Sequence, residues 1–170
     1  VTDVQHLSRF PKNPSRGRIV IFHASGGDPE VFKFLQNSSD PLVLIFHNIA
    51  PPELFENFAP DRAALLRQGW EELSFLREKI VLSIADSKYN AQCLEKIGYQ
   101  NIVVLQAGVQ PSRLHKYESD IEMTRLLERE TVDPLLLYVG QAAPHKRPEV
   151  LVQMQYLLTH HIGRTTSLAL

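Results

Sequence analysis

The chain has one cysteine, Cys93, in 170 residues. No intramolecular disulfide can form, and the expected setting is a reducing, cytoplasmic compartment. Cys93 sits beside Leu94 in a helical pattern and reads as a buried, inert thiol. Charge of one sign is also lacking. Eighteen Lys and Arg oppose 19 Asp and Glu, for a net charge of -1, so no general field draws the chain to nucleic acid or to an anionic membrane. Arg16–Arg18 and Lys146–Arg147 are local basic clusters, the first best read as a solvated loop. No apolar run approaches the roughly 20 residues a membrane-crossing helix needs. The opening Val-Thr-Asp-Val-Gln-His has neither the charged nor the apolar region of a signal peptide. The 7 histidines form no i, i+4 pair, so no metal site is expected. There is no nucleophile elbow, and Ser25-Gly26-Gly27 is not the glycine fingerprint of a dinucleotide site.

Apolar residues make up 44% and charged residues 22%, an ordinary globular composition. Arg18–Ala24, Leu42–His47, Ile80–Ala85, Ile102–Leu105 and Leu135–Val139 read as short, continuously apolar strands, and Ser167–Leu170 as the start of another. Between them lie helical patterns. Asp28 caps a helix to about Gln36, with Pro29 at its first position. Asp61 is expected to cap a long helix carrying Leu65, Leu66, Trp70, Leu73 and Leu76. Asp86 or Ser87 caps Lys88–Ile97, which Gly98 ends. Ile121–Glu130 reads as a short charged helix, and Pro148–Leu158 as a helix that Gly163 can end. Continuously apolar strands alternating with helices predict an α/β fold, a Rossmann-like parallel sheet with helices on both faces. The polar stretch Gln106–Asp133 is the best place for an interdomain connection.

Four places could carry chemistry. His23 and His47 stand at strand ends, where open parallel sheets bind ligands, and could hydrogen-bond a substrate or move a proton. Asn48-Ile49-Ala50-Pro51-Pro52-Glu53 is a stiff loop whose Glu53 could accept hydrogen bonds from hydroxyls, though an exposed glutamate is the simpler reading. Ser87 is most simply a helix cap. In Leu135–Lys146 a strand ends at Gly140, and a polar turn delivers Lys146 to a helix start, which suits a phosphate.

Together these pieces resemble the retaining nucleotide-sugar glycosyltransferases of family 4, which have the two-domain GT-B fold. Leu42–Phe55 (LVLIFHNIAPPELF) looks like the acceptor-domain strand ending in His-Asn, in a subgroup with a Pro-Pro-Glu loop. Val81–Gly98 looks like a later strand, Ser turn and helix, and Leu135–Arg147 like the first strand and turn of the nucleotide-binding domain. The resemblance spans roughly Ile19 to Leu170.

It implies a partial acceptor-binding domain over residues 1–131 and the start of a nucleotide-sugar-binding domain over 132–170, with the active site in the cleft between domains. The reaction would move a sugar from a nucleotide-sugar donor to a hydroxyl of a saccharide or lipid-linked acceptor, with retention. By resemblance His47 lies near the reacting sugar, Gly140, Gln141 and Lys146 meet the donor, and Asn48, Glu53 and Ser87 face the acceptor. No metal or other cofactor is implied, and no nucleic acid. Peripheral membrane contact of the parent enzyme stays open. Where the family usually has an arginine after the strand glycine, this chain has the uncharged Gln141. The family's opening Gly-rich strand and loop would precede residue 1, and its Glu-x7-Glu element would follow residue 170. The expectation is therefore a central piece of a longer enzyme, inactive alone. A non-catalytic binding module derived from such an enzyme is the alternative, and a nucleotide-sugar epimerase fits the Pro-Pro-Glu loop less well.

Overall fold

In residues 1–108 each of the first three strands feeds a helix that returns to the neighbouring strand position. The computed structural model describes the chain apart from residues 1–3, 12, 107, 109–111, 113–117, 131–133 and 144–145. Two compact units part after Gly108, at residues 1–108 and 109–170. The boundary expected near 131 lies outside the described residues, and helix Ile121–Glu130 goes with the second unit.

The first unit is β1 (Val20–Ala24), α1 (Pro29–Asn37), β2 (Leu42–Phe46), α2 (Pro60–Leu76), β3 (Ile80–Ala85), α3 (Lys88–Lys96) and β4 (Ile102–Val104). The four strands pair in parallel in the order β1-β2-β3-β4. Each crossover steps one strand in the same direction, and right-handed crossovers of that kind set their helices on one face. That face carries Val20, Ala24, Leu42, Leu44, Phe46 and Ala85, packed on Leu35 of α1, Leu66, Leu73 and Leu76 of α2, and Leu94 of α3. The alternate residues tell the opposite story. Ile21, His23 and Val103 are exposed, and Val43, Ile45, Leu82 and Ile84 are half-buried. The fold is the expected α/β, Rossmann-like parallel sheet flanked by helices. The covering of both faces is met on one face among the described residues.

Local chemistry explains the element starts. Asp28 Oδ1 accepts the N–H groups of Glu30 and Val31 at 3.0 and 3.1 Å. Ser87 Oγ accepts the N–H of Asn90 at 3.1 Å and so caps α3, and Gly98, at φ 93°, lets the chain leave it. Asp61 is a correction. Pro60 opens α2, the cap position is Ala59 with no side-chain hydrogen bond, and Asp61 lies inside the first turn. There it complements the helix dipole instead of capping. Proline at the first helical position explains the change, since its missing N–H needs no partner.

The second unit holds α4 (Ile121–Glu130), β5 (Leu135–Leu137), α5 (Glu149–His160) and β6 (Ser167–Ala169), with β5 and β6 a separate parallel pair. Only Ala143 and Thr166 are buried among its described residues. Among the described residues no helix is long and apolar enough to cross a membrane.

Candidate functional site

At the carboxyl end of the four-stranded sheet three side chains from three successive strand ends meet. His23 pairs in register with Ile45. Side chains alternate along a strand, so His47, two residues beyond Ile45, projects from the same face as His23. The N–H of His47 donates to the Ala24 carbonyl at 3.0 Å, which extends the pairing one residue past the end of β2. The ring nitrogens His23 Nδ1 and His47 Nε2 stand 2.8 Å apart. The ring planes differ by 15° with centroids 5.1 Å apart. That centroid spacing is far larger than the nitrogen–nitrogen distance, so the rings lie edge to edge and the shared hydrogen bond runs in their planes, along a lone pair. On its other side, His47 Nδ1 meets Asp86 Oδ2 at 3.1 Å. Asp86 follows β3 directly, and its second oxygen accepts from Asn90 Nδ2 of α3. The result is a hydrogen-bonded line, Asn90–Asp86–His47–His23, along an exposed sheet edge.

Of the sequence candidates, His47 is therefore engaged at both ring nitrogens. Asn48 next to it is half-buried at φ 76°, a left-handed conformation asparagine tolerates better than most residues. Glu53 is exposed in the short turn Pro52–Leu54 and makes no ion pair among the described residues. The half-buried Ser87 is occupied as the α3 cap. Asp86 and Asn90 are the members that the sequence reading missed. The choice between Asp86 and Ser87 as cap was the available signal: once Ser87 takes the cap, the Asp86 carboxylate is left for a partner.

In the second unit, Gly140 and Gln141 form an exposed bend after β5. A Cβ at Gly140 would stand 2.9 Å from the Tyr138 hydroxyl, which donates to the Gln141 carbonyl at 2.8 Å. Lys146 is exposed, with its N–H donating to the Ala143 carbonyl at 2.8 Å. Pro144 and His145 of this turn lie outside the described residues. Arg147, at φ 49°, donates to Glu149 at 3.0 Å, and that hydrogen bond holds the Glu149 carboxyl below its ordinary range. No group of three His, Cys, Asp or Glu that could hold a metal ion exists among the described residues. A cleft of about 440 Å³ is lined in part by Phe10, by Phe34 of α1 and by Asp40 before β2, and does not include His47.

Comparison with family models, curated proteins and solved structures finds no match to this chain.

Proposed function

We propose that this chain is part of a cytoplasmic retaining glycosyltransferase of the family 4 kind. The observation that supports this best is the exposed histidine line at the carboxyl edge of a parallel sheet. Open α/β sheets take ligands at that edge, and His47 lies in one of the segments that resemble the family. In this reading the first unit offers hydrogen-bonding groups to a saccharide or lipid-linked hydroxyl, with His47, Asn48 and Glu53 near it. The second unit receives the diphosphate of the nucleotide sugar through the Gly140–Gln141 bend and Lys146. As the glycosidic bond to the diphosphate breaks, negative charge develops on the leaving group. A fixed cation and backbone N–H groups favour that charge more in the transition state than before it.

A second reading, a binding module without catalysis, draws support from one observation. Gln141 is uncharged and Arg147 is committed to Glu149, so in this turn Lys146 alone is an unpaired cation among the described residues.

Titration of UDP, GDP and ADP into the chain, followed by backbone amide shifts, tests the donor half. Shifts centred on Gly140, Gln141 and Lys146 are expected, and Lys146→Ala should weaken binding about tenfold, ~1.4 kcal/mol. Shifts confined to other segments would remove the donor-site assignment.

A further inference from the structure

Proton positions along the line follow from its chemistry. Asp86, ionised, can only accept, so His47 Nδ1 carries a hydrogen toward it. In neutral His47 the other nitrogen, Nε2, is then a lone pair, and it accepts from His23 Nδ1. That in turn leaves His23 Nε2 as a lone pair. The His23 ring is exposed, and Nε2 has no hydrogen-bond partner among the described residues.

We propose that His23, not His47, is the group this edge presents to a ligand: its Nε2 accepts a hydrogen bond from a ligand hydroxyl, and His47 and Asp86 are positioning residues that fix its tautomer. This deepens the glycosyl-transfer reading and rests on it for the hydroxyl. If both rings were imidazolium, each would place an N–H on the single hydrogen bond between them, so the geometry fits one hydrogen in that bond. Asp86 is the one charged group bonded to the pair among the described residues.

The test uses the whole chain labelled with 15N-histidine and two-bond proton–nitrogen correlation spectra. At about pH 8 both His23 and His47 are expected as Nδ1–H tautomers. Asp86→Asn should release His47 from that tautomer and alter His23 with it, while far-UV circular dichroism reports that the helices are intact. An Nε2–H tautomer at His47 in the unmodified chain overturns the line itself. Glucose, mannose, galactose and maltose are then added as hydroxyl probes. A shift led by His23 Nε2 is the expected result. A shift led by His47 would overturn the assignment of His23. With the tautomers as proposed and neither ring moved by any sugar, the hydroxyl ligand is overturned while the proton arrangement stands. Neither result depends on donor binding at Lys146, so failure here and failure of the donor-site reading are read separately.

Discussion

At the residue scale, Gly69 stands at a tight point of the first unit. It lies in the buried interior of α2, where a Cβ would stand 2.6 Å from the Gly27 nitrogen and 2.7 Å from the Gly26 carbonyl carbon. The turn after β1 rests directly on the helix, with the Gly27 N–H donating to the Leu65 carbonyl at 3.1 Å. Alanine would ordinarily favour a helix, yet here Gly69→Ala should destabilise the chain by about 1–3 kcal/mol through overpacking against backbone. A urea titration with an unchanged or higher midpoint would contradict that. Tyr99 supplies a pH dependence. Its buried hydroxyl donates to the Leu73 carbonyl at 2.9 Å, and burial pushes the phenol well above its ordinary value, with Arg77 opposing only in part. A raised folded-state value means that stability is full below the unfolded value near 10 and is lost as pH climbs beyond it. Thermal midpoints measured upward from about pH 9 should fall, and Tyr99→Phe should flatten that fall. The residue scale is also where sequence reading was least able to see. Gly69 has no signature in a helical pattern, because its reason lies in a turn 42 positions away. The His23–Asp86 line likewise depends on strand order and register, which spacing alone leaves open.

At the scale of elements, the junction of α1 with the α2–β3 turn is held by one cation. Lys79 Nζ donates to the carbonyls of Gln36 and Ser38, the latter at 3.1 Å, with Leu35 O at 3.5 Å. Leu35 O already accepts the Ser38 N–H at 3.2 Å, and a positive charge at this helix end complements the dipole. Lys79→Met keeps the length and removes the donor. It should cost about 1 kcal/mol, read as a lower urea midpoint with an unchanged slope. An unchanged midpoint would show that solvent serves those carbonyls equally well. Elements were the most legible level. Strands β1 to β4 announced themselves as apolar runs, and Asp28-Pro29 and Ser87 as helix starts, because each signal is local. Asp61 misled because proline one residue earlier had already fixed the first turn.

At the scale of the molecule, the two units differ in how much apolar surface they bury. The first has contiguous clusters around Leu44, Phe46, Leu73 and Leu94, whereas β5, β6 and α5 contribute no fully buried apolar side chain among the described residues. Two-stranded sheets are marginal without a packed face. Amides of β5, β6 and α5 should therefore exchange with solvent hydrogen through lower-energy openings than those of β2 and β3. Equal protection in both would show that the second unit draws stability from elsewhere.

The contact between Gly27 and Gly69 has a mechanical side. A joint made of bare backbone has no rotamer to turn, so it passes a displacement on whole instead of absorbing it. A slide of α2 along its axis is thus handed undamped to the carboxyl end of β1, a few residues from His23. Changes that lengthen or rotate α2, made far from the sheet edge, should detune the His23–His47 hydrogen bond before they loosen the core.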